Sequence, residues 1–299
     1  MNKNKVDTSY YQTVPEHLVQ NLANFRQNNP LYNMDVNKHQ WTYYALGHPD
    51  DEVLLLLHGG GGDAEAMFQY MQEFSSDFRV IAPNIPITIN KLSDVMSGLR
   101  ALLAHEGITR ANVVGFSFGA MLAQMYIRKF QDTVINMVIT HSTIPSKHLT
   151  EAINMQKNLM RFYPEPLLLG ISKRAYHNHI ATSTSTQSDA QKQFWQAYFD
   201  DLYSNRVRKK QLISRAKITV DYHSENEFNS RDLLTWDGDM LIIESENDNV
   251  ITEGDRGSLK AMYSRAYIQT LADYDHLAPL LAQDEMISSI MNFLLKEDI

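Results

Sequence analysis

The residue best suited to chemistry is the serine in the segment GFSFG at positions 115–119. A short apolar run at 112–115 predicts a buried strand before it, and the pattern at 118–130 predicts a helix after it. A serine at a sharp strand-to-helix turn presents its hydroxyl above the sheet, and the positions two residues away must be small because the backbones pass close together. The helix also directs its positive N-terminal end at the serine. We therefore interpret Ser117 as a nucleophile.

A second glycine cluster, HGGGG at 58–62, follows the strand predicted at 52–58. Attack on a carbonyl creates an oxyanion, which backbone N–H groups stabilise when they are aimed at it. We expect donors from Gly60, with Gly61 as the next candidate, and from Phe118, the residue after the nucleophile. A phosphate-binding loop is disfavoured because neither GxxxxGK[ST] nor GxGxxG with a downstream acid fits this segment.

A serine nucleophile needs a base, and six histidines follow Ser117. His276 alone lies between the last predicted strand and the last predicted helix, where it can reach over the sheet edge, so we predict that it is the base. His141 ends the strand predicted at 135–140 and is expected near the pocket. The other four lie in an inserted segment: His148, His177, His179 and His223.

The base needs an orienting acid, and the segment ESENDNVI at 244–251 follows the strand predicted at 239–244. Asp248 is the predicted acid because it comes a few residues past this strand. Glu246 and Glu244 remain alternatives. Asp275 is disfavoured because a residue next to His276 cannot easily turn back onto its neighbour's ring.

The elements that must position these residues follow an α/β pattern. Apolar runs predict strands at 52–58, 79–82, 112–115, 135–140, 239–244 and 266–271, and helical patterns at 64–74, 91–105 and 118–130 separate the first four. A last amphipathic helix is predicted from Met286 to Leu294. This alternation predicts a mostly parallel, doubly wound sheet with helices on both faces.

The segment 145–236 interrupts this alternation with helical, polar sequence. We predict core regions at 1–144 and 237–299, and a helical cap at 145–236 that roofs the C-terminal edge of the sheet. The aromatic stripe at 194–203 is interpreted as packing. Large cap side chains are candidates for lining an acyl pocket, although packing explains them equally well: Met155, Met160, Phe162 and Tyr163.

Composition narrows the class of protein. A net charge of −8 disfavours nucleic-acid binding, and the basic run at 206–210 is interpreted as a solvated helix face. The absence of cysteine excludes disulfides and a thiol nucleophile. Residues 1–20 lack the apolar segment of a secretory signal, and the longest apolar run, 53–57, is too short to span a membrane. We expect a cytoplasmic monomer or homodimer with a small-molecule substrate and neither metal nor cofactor.

The motifs HGGGG, GFSFG, ESENDNVI and DYDHLAPL, in this order over about residues 30–295, resemble the α/β-hydrolase superfamily. Chain length and the helical cap further resemble its maspardin-like branch, some members of which have doubtful catalytic machinery. The resemblance implies the α/β-hydrolase fold and a triad of Ser117, His276 and Asp248. Two positions depart from the pattern, because Ser245 and Asp275 stand where the superfamily often has glycine.

These residues predict a serine hydrolase that cleaves a small-to-medium carboxylic ester or related acyl compound through an acyl-enzyme. The sequence leaves the bond type open among ester, carbon–carbon and amide. Two alternatives remain. The first is an acyltransferase, in which an alcohol or thiol replaces water. The second is a non-catalytic binding or scaffold protein of the maspardin-like type.

Overall fold

The computed structural model describes residues 6–184, 188–224 and 227–296. Its strands are β1 Tyr32–Val36, β2 His39–Leu46, β3 Val53–Leu57, β4 Arg79–Asn84, β5 Ala111–Phe116, β6 Val134–Thr140, β7 Met240–Ser245 and β8 Tyr267–Leu271. Its helices are α1 Glu16–Asn28, α2 Phe68–Phe74, α3 Leu92–His105, α4 Phe118–Lys129, α5 Lys147–Phe162, α6 Glu165–Thr182, α7 Asp189–Asn205, α8 Lys209–Ser224, α9 Glu253–Met262, α10 Ala278–Leu281 and α11 Gln283–Leu295. Within the described ranges, every helix is too short or too polar to cross a membrane.

The eight strands form one sheet in the order β1-β2-β4-β3-β5-β6-β7-β8. Strands β3 to β8 pair in parallel, whereas β1 and β2 pair antiparallel. The predicted fold class is confirmed, and six strands lie where the apolar runs indicated. The hairpin of β1 and β2 was not predicted because β1 is an edge strand with one buried residue, Val36.

The sheet is covered on both faces because alternate residues of each strand point in opposite directions. Leu54 and Leu56 of β3 face a core that includes α1, α2 and α11. Leu55 and Leu57 face a second core that includes α3, α4 and α9. Continuous apolar runs in the central strands are the consequence of this double burial.

Four helices, α5 to α8, lie between β6 and β7 and make up the helical part of the inserted segment. The aromatic stripe of α7 is buried in the same core as α2, as packing predicts, but one of its residues, Phe199, also lines a cavity. The division into a core and a cap at 145–236 stays a prediction.

The turn from β5 into α4 brings three backbones unusually close together. A Cβ placed on Gly115 would lie 2.5 Å from the carbonyl oxygen of Gly119, and one placed on Gly119 would lie 2.1 Å from the carbonyl oxygen of Leu57 in β3. Only glycine leaves this space. Between the two glycines, Ser117 has φ 51° and ψ −110°, a conformation that L-residues rarely adopt.

We therefore predict that Gly119→Ala destabilises the fold by about 1–3 kcal/mol, because backbone atoms must move to admit the methyl group. Gly257→Ala in α9 is the matched control, since no heavy atom lies within 4 Å of the added Cβ, and it should be neutral or stabilising by up to ~1 kcal/mol. Urea unfolding measures both variants. An unchanged midpoint for Gly119→Ala would contradict the close approach of β3 and α4.

Candidate active site

Ser117 stands at the apex of the turn between β5 and α4, with its side chain half-buried. Its backbone N–H donates to the carbonyl of Thr140 at the end of β6, 2.9 Å away. A residue in such a sparsely populated conformation stores roughly 1–3 kcal/mol of strain and persists only where its surroundings enforce it. Here the strain projects the hydroxyl from the C-terminal edge of the sheet.

His276 lies in the loop after β8, and its Nε2 is 3.1 Å from Ser117 Oγ. This distance permits a hydrogen bond in which the serine hydroxyl donates to the imidazole. The edge of the His276 ring also contacts His141, with ring centroids 5.7 Å apart. The structure thus brings together the predicted nucleophile and the predicted base.

Asp248 completes a chain of hydrogen bonds behind His276. Its Oδ2 is 2.9 Å from His276 Nδ1, and its Oδ1 accepts from the backbone N–H groups of Val250 and Ile251, each at 2.8 Å. Burial raises the pKa of Asp248, but the contacts with His276 and the two amides outweigh it, and the net pKa lies below the usual value. The carboxylate is therefore charged at neutral pH and holds Nδ1 in its protonated form.

The alternative acids have other contacts. Glu244 is buried and binds Lys260 Nζ at 2.6 Å, whereas the side chain of Glu246 is exposed. Asp275 accepts a hydrogen bond from the backbone N–H of Leu277. Of the acids weighed from the sequence, the structure brings Asp248 to the His276 ring.

The two departures from the superfamily pattern take part in local hydrogen bonding. Ser245 Oγ lies 2.7 Å from Nε2 of His141, and Asp275 binds the loop that carries His276. Burial lowers the pKa of His141 to about 3, so its ring is neutral at physiological pH. His141 is therefore an uncharged neighbour of His276.

The glycine loop lies on the other side of Ser117. A Cβ on Gly60 would lie 3.4 Å from the Cβ of Phe118, so the segments that carry the two predicted donors are adjacent. His58 Nδ1 is 2.8 Å from the carbonyl oxygen of Gly59, and Arg215 of α8 donates to the carbonyl oxygen of Gly60. Because a peptide unit is planar, these contacts also set the directions of the N–H groups of Gly60 and Gly61.

The two side chains that bind this loop, His58 and Arg215, differ in charge. Burial and the nearby Arg215 lower the pKa of His58 to about 3, so the imidazole is neutral and donates from Nδ1. Arg215 is itself buried, and burial lowers its pKa from the ordinary value. A guanidinium from the inserted segment thus anchors the loop beside Ser117.

A cavity of about 360 Å³ opens above Ser117 and His276. From the inserted segment it is lined by Ala175, Tyr176 and His179 of α6 and by Phe199 of α7. Tyr176 stacks on Phe199 with ring centroids 4.4 Å apart. A Cβ on Gly61 would lie 1.5 Å from the Tyr176 hydroxyl oxygen, so Gly61 leaves the space that this tyrosine occupies.

The candidates that the sequence offered for the pocket lining, Met155, Met160, Phe162 and Tyr163, do not line the cavity. Among the described residues that line the cavity, none belongs to α5. Met155 and Phe162 are exposed because α5 presents this face to solvent. Tyr176 and Phe199 were missed as lining residues because a helical pattern shows which residues are apolar but not which cavity they reach.

Buried and half-buried charges connect the inserted segment to the core. Arg26 of α1 binds Glu65 at 2.8 Å and Asp201 of α7 at 3.1 Å. Arg206, after α7, binds Asp63 at 3.0 Å and Glu65 at 2.7 Å. Because Asp63 and Glu65 directly follow the glycine loop, this network ties α7 to the loop beside Ser117.

Comparison with known proteins agrees with the fold. The model of the alpha/beta hydrolase family matches residues 54–288, and the chain therefore belongs to this family. A hydrolase from Pseudomonas aeruginosa superposes with a TM-score of 0.72 at 12% identity, covering 88% of this chain and 98% of its own. The enol-lactonase from Burkholderia xenovorans superposes with a TM-score of 0.70 at 14% identity, covering 88% of this chain and 100% of its own.

Curated relatives are more similar in sequence but match over shorter segments. The proline iminopeptidase PfmaB of Pestalotiopsis fici is 26% identical over 130 residues, which is 40% of this chain and 46% of the relative. A proline iminopeptidase of Clostridium botulinum is 23% identical over 165 residues, which is 50% of this chain and 55% of the relative. The matched segments thus span about half the length of these relatives.

Proposed function

We propose that this protein is a serine hydrolase that cleaves esters of small-to-medium apolar carboxylic acids. The observation that carries the proposal is the hydrogen-bonded chain from Ser117 Oγ through His276 to Asp248, with distances of 3.1 and 2.9 Å. Membership of a family with named hydrolases supports the reaction class. The ester specificity rests on the cavity.

In the proposed mechanism His276 Nε2 removes the hydroxyl proton as Ser117 Oγ attacks the carbonyl carbon. The oxygen of the tetrahedral intermediate accepts hydrogen bonds from the N–H groups of Gly60 and Phe118, with Gly61 as a further candidate. The intermediate collapses, the alcohol leaves with the proton held by His276, and an acyl-enzyme remains. Water then gives a proton to His276 as its oxygen attacks the acyl carbon; the bond to Ser117 Oγ breaks, His276 returns the proton to that oxygen, and the acid is released.

The cavity favours an apolar acyl group. Its walls include Met67, Phe116, Leu277 and Leu280 beside the residues of α6 and α7. Its volume of about 360 Å³ is near the lower end of the roughly 300–1,000 Å³ typical of ligand sites. An acyl chain gains free energy by leaving water for such walls.

Three other activities give different results with the same protein. Hydrolysis of any chromogenic ester in an acyl-length series contradicts a purely binding or scaffold role. Diversion of the acyl group to an added alcohol, at the expense of free acid, indicates an acyltransferase. Faster hydrolysis of proline p-nitroanilide than of every ester would replace our proposal with the peptidase activity named for the curated relatives.

We expect Ser117→Ala to abolish both labelling by a fluorophosphonate probe and ester hydrolysis. Loss of a triad serine costs on the order of 10⁶ in kcat. Ser142→Ala, at another buried serine, is the control and should keep labelling. Circular dichroism verifies the fold of both variants. Most of the activity remaining in folded Ser117→Ala would end the proposed mechanism.

Asp248→Asn should fold yet lose roughly 10⁴ in kcat, because the amide favours the wrong imidazole tautomer. Glu246→Gln is the matched control at an exposed acid of the same loop, and its rate should stay within about twofold because surface changes are usually small. Steady-state kinetics on one ester compare the two. The reverse pattern would make Glu246 the acid.

Ala175→Trp should narrow the cavity and lower the kcat/KM ratio of octanoate to acetate esters by at least about tenfold, since pocket contacts discriminate by roughly 1–3 kcal/mol. Ala175 lines the cavity from α6, whereas Ala181, at the other end of the helix, is exposed. Ala181→Trp should leave the ratio unchanged. Equal ratios in both variants would show that α6 does not set acyl preference.

A further inference from the structure

The helices α5 and α6 carry a group of large apolar side chains that face solvent. Phe162 is 85% exposed, Met155 65% and Leu159 51%. Tyr163, Leu167 and Ile171 are also exposed. Isolated exposed apolar residues are ordinary, whereas a group on consecutive helices and the turn between them is typical of an interaction surface. We call these six residues the hairpin patch.

The patch follows the helical repeat. In α5, Met155, Leu159 and Phe162 are spaced i, i+4, i+7 and so lie on one side of the helix. The other side of α5 packs against α8. All of α5 is described, and none of its residues is fully buried. An amphipathic helix with its apolar side turned outward is the arrangement of helices that lie at an interface between water and lipid.

Basic residues outnumber acidic ones in the segment that carries the patch, although Lys147 and Lys173 are paired with Glu227 and Asp200. Residues 147–182 contain five Lys and Arg against two Glu. Lys209 reaches the turn between α5 and α6, where its Nζ donates to the carbonyl oxygens of Arg161 and Tyr163. Arg208 and Lys210 are its exposed neighbours. Residues 145–236 include 13 basic and nine acidic residues, whereas the rest of the chain includes 14 basic and 26 acidic residues.

The patch continues to the mouth of the cavity. On α6, Leu167, Ile171 and Ala175 repeat every four residues, and Ala175 lines the cavity. Val250, in the loop after β7, is also a lining residue and is 54% exposed. An apolar molecule lying against α6 therefore has an apolar route towards Ser117.

We propose that the hairpin patch docks on an anionic lipid surface, with its apolar side chains inserted among the lipids and exposed basic side chains of the same segment at the headgroups. Each basic residue near such a surface contributes attraction that salt screens. A second copy fits less well, because two copies placed patch to patch would bring like charges together. Docking does not depend on the proposed hydrolase activity.

The test is sedimentation of the full chain with vesicles of phosphatidylcholine containing 30% phosphatidylglycerol, and with vesicles of phosphatidylcholine alone. We expect binding to the anionic vesicles and at least tenfold weaker binding to the neutral ones. Leu159→Ser with Phe162→Ser should weaken anionic binding at least tenfold. Leu234→Ser is the control, since Leu234 is 62% exposed outside the patch, and it should bind like the wild type.

Thermal unfolding followed by circular dichroism verifies that the variants are folded, and ultracentrifugation gives their oligomeric state. Absence of binding to anionic vesicles, or equal binding by the double variant and the wild type, overturns the proposal. A wild-type dimer that the double variant converts to a monomer, with vesicle binding unchanged, assigns the patch to a second copy instead. Because vesicle binding needs no turnover, this result is separate from the fate of the proposed ester hydrolysis.

Discussion

The close approach of β3, β5 and α4 is the constraint on which the candidate site depends. Gly115 and Gly119 have no room for a side chain, and the chain must reverse direction between them within one residue. Ser117 is therefore held at φ 51°, at a cost of roughly 1–3 kcal/mol. The buried strand β3 and the almost completely buried β6 on either side of β5 offset this cost, so the packing of the core maintains the strain that exposes the hydroxyl.

The partners of Ser117 come from other strand ends at the same edge. Parallel strands share the direction in which they end, so loops after β5, β7 and β8 meet although Ser117 and His276 are 159 residues apart. Strand β6 lies between β5 and β7, and His141 at its end contacts both the His276 ring and Ser245. A neutral, buried imidazole thus supports the ring that we propose as the base.

The inserted segment is bound to the site by charge as well as by apolar packing. Arg215 anchors Gly60, and Arg206 binds Asp63 and Glu65 just beyond the glycine loop. Arg26 joins the core to Asp201 of α7 through a buried pair, and breaking such a pair typically costs about 3–5 kcal/mol because the remaining partner is left unpaired. The walls of the cavity and the direction of the loop amides are therefore coupled. The same segment exposes the hairpin patch, so its inner side faces the cavity and its outer side faces the surroundings.

The sequence by itself determined the parallel strands, the strand-to-helix turn and the loops that carry Ser117, Asp248 and His276. It did so because burial on both faces requires continuous apolar runs, and close backbones require glycine at fixed spacing. The catalytic roles of these residues stay predictions, to which the distances lend support. Glu244 and Glu246 were separable from Asp248 only by geometry, since all three lie at the end of one strand or in the loop after it.

Only the tertiary structure decided the antiparallel hairpin of β1 and β2, the contact of Arg215 with Gly60 and the lining of the cavity by Tyr176 and Phe199. Strand β1 lies at the edge of the sheet and is exposed over most of its length, so it lacks the apolar run by which a central strand is recognised in the sequence. Helix α5 is a second example. The spacing of its apolar residues suits a pocket wall, but Met155 and Phe162 face solvent. Periodicity records that one side of an element is apolar, whereas what covers that side depends on residues distant in the chain.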